Sequence, residues 1–385
     1  MSFLFQEKDE KKVEYIELIY DLIFVYLLGR NNALLHSMSN GFFTGGGYLT
    51  YILSTLVILQ IWYFSSIFIN RYGSNGVSDH ICLFINMYLL YFLADGTRAD
   101  WGDYYTRYNV AWGLILVNLA AQYALRLIRS KQIMPWESKH LRYHMILLLI
   151  QAGIVLASIP LYRATGVPLS WICLLFGFLA GIVTERIDAL IPVNFEHLSE
   201  RVMLFVVFAF GEMIVTISSY FEGSISFNTI YFSLMAFLIV AGLFVSYGFL
   251  YNRIIDREMH TTGTGFMLIH IGLIIALNNL TAALEYMQDP AVQIIPKNVF
   301  LVGSFLIYFL FMFLIGIYAK EGFRADRTMI LRMSLFGIAF VVLMALTYHN
   351  SWISIAVSVL FVYAVFASIV LRWRQVTALK SQKTE

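Results

Sequence analysis

Twelve apolar runs punctuate the chain, at roughly 16–36, 48–69, 80–97, 109–128, 143–161, 169–188, 201–220, 228–251, 266–286, 298–319, 329–348 and 352–373. Each is close to the roughly 17 to 25 mostly apolar residues that a helix needs to cross a bilayer. Lipid offers the backbone no hydrogen-bond partner, so such runs cross as helices, which satisfy their polar groups internally. The expectation is an all-α polytopic membrane protein of about 12 transmembrane helices, with the lipid bilayer as its first partner. Charged residues are 13% and hydrophobic residues 59% of the 385. A soluble domain carries about 25% charged residues, so a soluble fold is excluded.

Lysine and arginine gather on the cytoplasmic side of membrane proteins. Loops on the side of the N-terminus, with both tails, hold 21 of the 26, against Arg98, Arg107, Arg163 and Lys297 on the other side and Arg30 inside a helix. The split predicts a cell-membrane protein with both termini cytoplasmic. Glu17, Asp21 and Arg30 interrupt the first run, which does not fit a cleavable signal peptide. A formal charge of +2 gives no reason to expect a nucleic-acid partner.

A shift of about 182 residues superposes the runs six on six. Gly29 then meets Gly211, Asn70-Arg71 meets Asn252-Arg253 and Asp103 meets Glu285, while Glu17 meets Glu200 at 183. The pattern predicts two parallel six-helix repeats, giving a leader at 1–15, a first repeat at 16–190, a second at 191–373 and a tail at 374–385. The same shift puts Arg30 on Glu212, which suggests an ion pair between equivalent helices.

The residues with chemical potential are those that cost most to place in lipid, where a charge at the bilayer centre costs roughly 2.5–3.5 kcal/mol on insertion scales. Glu17 and Asp21 stand four apart and so share a helix face; two carboxylates so placed form a natural proton acceptor. The other reading of Glu17 is a helix-start carboxylate at the headgroups. Glu212 lies deep in an apolar run. With Arg30 these form the expected ionisable core. His197 and Glu200 are three apart, but without a further His or Cys they make a poor metal motif and read as a helix-start ion pair. Asn70-Arg71 and Asn252-Arg253 read as headgroup anchors at helix ends, with Asp79 and His80 following the first. His270 reads as a core histidine, with a proton-relay role open. Asp95, Arg98, Asp100 and Asp103, with Asn278, Asn279, Thr281 and Glu285, form an outer polar cluster or simply solvated loops.

Cys82 and Cys173 lie in apolar runs without CxxC spacing and read as core thiols. HExxH, Walker A and GxSxG motifs are missing from the sequence, and Gly263-Thr-Gly265 lacks the third glycine of a dinucleotide loop. No enzyme, metal site or cofactor is expected.

Glu17-Leu-Ile-Tyr-Asp21-Leu-Ile-Phe-Val25 resembles the Glu-Leu-Phe-Phe-Asp-Leu-Val-Phe-Val signature of the bacterial low temperature requirement A proteins. Asn70-Arg71 with Asp79 looks like that family's Asn-Arg-Phe and following Asp. His197-x-x-Glu200-Arg201 and Gly211-Glu212 look like its His-x-x-Glu-Arg and Leu-Gly-Glu elements. Ile19, Tyr20 and Phe210 depart from the pattern while keeping its apolar or aromatic character. The resemblance implies a multipass membrane protein and no particular reaction. A more distant likeness links an early helix-1 Asp and six-helix repeats to endolysosomal potassium and proton channels, although their Phe-Ser-Asp is absent here.

These features favour a transporter of a small solute or ion, proton-coupled through Asp21 or Glu212. An ion channel and a non-transporting membrane sensor or scaffold linked to cold adaptation are the alternatives.

Overall fold

The computed structural model describes residues 11–95, 101–130, 132–221 and 225–384. Residues 1–10 of the leader, Arg98 and Asp100 lie outside the described residues, as do the side chains of Asp95 and Asp103. Helix makes up 83% of the structure. Among the described residues the helices are α1 (Tyr15–Asn32), α2 (Gly45–Tyr72), α3 (Val77–Asp95), α4 (Trp101–Arg129), α5 (Pro135–Thr165), α6 (Ser170–Val183), α7 (Glu185–Asp188), α8 (Phe195–Ile217), α9 (Phe227–Phe249), α10 (Thr264–Gln288), α11 (Ile294–Ile315), α12 (Arg327–Thr347) and α13 (Ser351–Thr384).

Ten of them, α2 to α5 and α8 to α13, are long and apolar enough to cross a membrane. The expected first and sixth spans fall outside this group for different reasons. α1 has 18 residues but carries Glu17, Asp21 and Arg30. α6 has only 14 residues, a rise of about 21 Å at 1.5 Å per residue, against a hydrocarbon core about 30 Å thick.

Exposure is inverted relative to a water-soluble bundle. On α12, Leu335, Ile338, Val342 and Leu346 all lie outside, and on α3 Phe84, Tyr88 and Phe92 do the same, while Asp21 and Arg201 are fully buried. Large apolar faces turned outward and charges turned inward are the pattern that lipid imposes.

Local chemistry sets several helix ends. Pro135 occupies the first turn of α5, where its missing N–H is not needed. The helix stops at Gly166, left-handed at φ 72°, whose N–H returns to the Tyr162 carbonyl at 2.7 Å, a conformation that costs glycine little. Ser226 and Asp326 cap α9 and α12 by accepting from the Thr229 and Met329 N–H groups. The last turn of α9 widens into a π-helix over Leu250–Ile254, so Asn252-Arg253 sits on irregular backbone.

One element departs from all-helix: a hairpin of β1 (Met38–Ser39) and β2 (Phe42–Phe43), paired antiparallel. Its two-residue turn is Asn40-Gly41, both at positive φ (55° and 78°), which is the type I′ geometry that Asn-Gly favours. Phe42 and Phe43 pack with Tyr48, Tyr286 and Phe300 around a core of Leu34, Leu35 and Tyr51.

The chain divides into two compact units interleaved along the sequence. The first comprises Met1–Leu27, Leu56–Phe205 and Arg257–Gly265; the second comprises Leu28–Thr55, Val206–Asp256 and Phe266–Glu385. The division falls inside α1, α2, α8 and α10.

Candidate functional site

α1 buries a stripe of Ile16, Glu17, Tyr20, Asp21 and Phe24 and turns Tyr15, Ile19, Leu22 and Tyr26 outward. The carboxylates therefore share the inward face, as the i, i+4 spacing requires. Their partner is Arg201, on the first turns of α8. Its Nε donates to Asp21 Oδ2 at 3.0 Å and its Nη2 to Asp21 Oδ1 at 2.7 Å, a two-pronged contact, while Nη1 donates to Glu17 Oε2 at 2.8 Å. All three side chains are at most 3% exposed. Trp62 on α2 adds a fourth donor, Nε1 to Asp21 Oδ1 at 2.9 Å, and its ring lies 4.2 Å from that of Phe205.

His197, one turn before Arg201, faces the other oxygen of Glu17, with Nε2 to Oε1 at 3.3 Å. Its tautomer follows from its neighbours. Asn70 Nδ2 donates to the Asn194 carbonyl at 2.9 Å and stands 3.0 Å from His197 Nδ1; an amide NH₂ only donates, so Nδ1 accepts and the ring proton is on Nε2, aimed at Glu17. Asn70 Oδ1 in turn accepts the Asn194 N–H at 2.9 Å, and Asn194 caps α8 by accepting the His197 N–H, a role asparagine favours. The result is two carboxylates against one guanidinium and a neutral imidazole. With both acids ionised the buried cluster carries one negative charge in excess, which one proton or one monovalent cation would neutralise.

A cavity of about 690 Å³ reaches Glu17. Lys11, Lys12, Glu14, Asp79, His80 and Gln122 are among its lining residues. Burial pushes the Lys11 ammonium below its usual range, against the opposing pull of Glu17. The Lys11 Nζ binds the Ile69, Asn70 and Gly73 carbonyls at the end of α2. Asp21 lies one turn beyond Glu17 and is fully buried.

Arg71 is not a headgroup anchor. Its side chain is 1% exposed, and Nη1 donates to Asp188 Oδ1 at 2.6 Å. The reason lies after α6, which ends early; Thr184 then starts α7, and this turn puts Asp188 inside. Asp188 also meets His140 Nε2 at 3.0 Å, His144 Nε2 at 3.3 Å and the Thr184 hydroxyl at 2.9 Å.

Other expected residues take separate places. Arg30 and Glu212 do not pair: Arg30 is exposed, and no ion pair joins the two among the described residues. The residue turned toward Glu212 is Gly29, where a Cβ would collide with the Glu212 carboxyl, and adjacent helix positions point about 100° apart. Gly211 faces open space. Glu200 is half-buried and forms no ion pair with His197. Asp79 stays local, accepting from the Ser74 N–H and hydroxyl at 2.8 and 3.0 Å. His270 is a satisfied core histidine, its Nδ1 donating to the Phe266 carbonyl at 2.8 Å and Nε2 standing 3.3 Å from the Tyr247 hydroxyl. Glu285 pairs with His36 at 3.1 Å, and Asn279 donates to the Tyr48 hydroxyl at 3.0 Å. Asn252 and Arg253 are exposed, with Arg253 over the Trp373 ring at 5.7 Å. Cys82 and Cys173 are free and buried.

Sequence reading missed Trp62, Asn194, His140, His144 and Asp188. Only His140-x-x-x-His144, at helical spacing, carried a signal of its own. No curated protein and no solved structure matches this chain. A family model described as Bacterial low temperature requirement A protein (LtrA) matches residues 12–365. That stretch takes in every residue of the Glu17–Asp21–Arg201–His197–Asn70 network, and this multipass membrane protein belongs to the bacterial low temperature requirement A family.

Proposed function

We propose that the chain is a small-solute or ion transporter, proton-coupled through the Glu17–Asp21–Arg201 cluster. The observation that carries the reading is the cavity that reaches Glu17, the outer member of a buried cluster with one negative charge in excess. Protonation of Glu17 or Asp21 releases one bond of Arg201, and the Arg201 side chain joins α1 to α8. A proton arriving through the cavity therefore changes how tightly two helices are tied. His197, with its Nε2 proton aimed at Glu17, holds that carboxylate in place by a hydrogen bond.

In this reading α1 and the α6–α7 pair complete a set of twelve spans in two parallel six-helix repeats. Both termini are cytoplasmic, so the cavity bearing Lys11 opens to the cytoplasm. Asp21 and Glu17 take the coupling role. Glu212, half-buried and without an ion-pair partner among the described residues, is the place for a second, transient charge.

The test is reconstitution in proteoliposomes on a solid-supported membrane, with a panel of amino acids, sugars, nucleosides and organic cations applied at several pH values. The reading expects at least one solute to evoke a transient current that depends on the pH gradient and is lost in Glu17→Gln. Silence across the panel, or currents unchanged in Glu17→Gln, overturns it. Steady currents with inorganic cations alone would identify a channel instead.

A further inference from the structure

We infer that His140, His144 and Asp188 form a binding site for one divalent transition-metal ion of the zinc type. One ligand atom from each, the two Nε2 atoms and a carboxylate oxygen, lies within 4.8 Å of the others. The separations are 3.0 Å from His140 Nε2 and 3.3 Å from His144 Nε2 to Asp188 Oδ1. A tetrahedral ion with bonds of about 2.0–2.1 Å holds adjacent ligands roughly 3.3 Å apart, so these three atoms need little movement to share one.

The hydrogen bonds behind the ligands are those of a built site. His144 Nδ1 stands 3.0 Å from the His140 carbonyl, which only accepts, so Nδ1 carries a proton and Nε2 is the ring nitrogen turned to Asp188. Nε2 faces the Asp188 carboxylate at 3.3 Å, a separation that one metal ion can bridge. His140 Nδ1 meets the Tyr72 hydroxyl at 2.8 Å, and the second Asp188 oxygen accepts from Thr184 at 2.9 Å. Metal-bound histidines and carboxylates are oriented by partners of this kind. A cavity of about 20 Å³, lined by His144, Asp188, Thr184 and Tyr63 among others, adjoins the ligands and has room for the water of a fourth position.

Arg71 opposes the ion. Its Nη1 holds Asp188 Oδ1 at 2.6 Å and stands 3.2 Å from His140 Nε2. Its Nη2 donates to the Thr262 carbonyl at 3.3 Å, while its Nε has no hydrogen-bond partner among the described residues. Guanidinium and metal compete for the same carboxylate, and loss of the arginine charge tightens the metal.

The experiment is titration of the full-length protein, purified in detergent with its affinity tag removed, with Zn²⁺ and with Co²⁺. The expected result is one ion per chain, with the visible absorption of tetrahedral Co²⁺. His144→Gln should weaken binding more than the roughly 10- to 100-fold that loss of an orienting partner costs, the range expected for Tyr72→Phe. Arg71→Gln should tighten binding about tenfold. No stoichiometric ion in the wild-type protein, or an ion with octahedral Co²⁺ absorption, overturns the site without recourse to any variant. Equal affinity in wild type and in a folded His144→Gln protein also overturns it.

Discussion

The first unit ties its charges together and the second leaves its central one loose. Asp21 has Arg201 and Trp62, Glu17 has Arg201 and His197, and Asp188 has Arg71 and two histidines. Glu212, in the second unit, lies against Gly29 and has no ion-pair partner among the described residues. The Asn-Arg pairs differ in the same sense: Asn70-Arg71 is buried in hydrogen bonds, while Asn252-Arg253 is exposed on π-helical backbone. The lesson is that residues at equivalent positions in the sequence take opposite environments, Asn70-Arg71 inside and Asn252-Arg253 outside. A buried charge pair is weak evidence of net stability, but removing one partner is costly, and this gives the contrast measurable consequences.

Arg201→Met strands two buried carboxylates and should cost about 3–5 kcal/mol, seen as loss of folded yield or a large fall in unfolding temperature in detergent. Glu212→Gln removes a carboxyl with no counter-charge and should cost less than about 1 kcal/mol. Equal costs would break the contrast. A double-mutant cycle on Asp21→Asn and Arg201→Met should give a coupling of roughly 2–3 kcal/mol, whereas a cycle on Arg30→Gln and Glu212→Gln should be additive within about 0.5 kcal/mol. Trp62→Phe keeps an aromatic side chain but removes a hydrogen bond to a carboxylate, for a loss of about 1.5–3 kcal/mol.

The smallest expected effect is at His36, outside the helices. Its bond to Glu285 raises it above its ordinary value of 6.5, against the opposing effect of burial. A raised histidine stabilises the fold fully below that ordinary value, and the contribution fades as pH rises through the raised one. With 45% of its side chain exposed, the effect should be a shallow fall in stability on the alkaline side of pH 6.5, absent in His36→Gln. An equal slope in the variant would remove His36 from the account.

Much of the site was legible because lipid makes each inward charge conspicuous. Glu17 and Asp21 announced their shared face by spacing alone, and Arg201 stood in the His-x-x-Glu-Arg motif. Their pairing was not legible, since the Asp21–Arg201 contact spans 180 residues and hydropathy says nothing of which helices meet. Equivalence under the repeat pointed to Arg30 and Glu212 instead, and a one-residue difference in facing was enough to undo it. His140 and His144 were hidden for another reason. The apolar run begins near 143, but Pro135 starts the helix two turns earlier, which turns an apparent loop histidine into a buried one. The early end of α6 and the turn at Thr184, which place Asp188, left no hydropathy signal.

The central claim is that the Glu17–Asp21–Arg201 cluster holds one exchangeable proton reached from the cavity. Infrared difference spectroscopy of the reconstituted protein across a pH titration tests it most directly. The account predicts a protonated-carboxyl band that titrates in the wild type, vanishes in Glu17→Gln and persists in Glu212→Gln. A titrating band that survives Glu17→Gln and is lost in Glu212→Gln, or no such band at any pH, would contradict it.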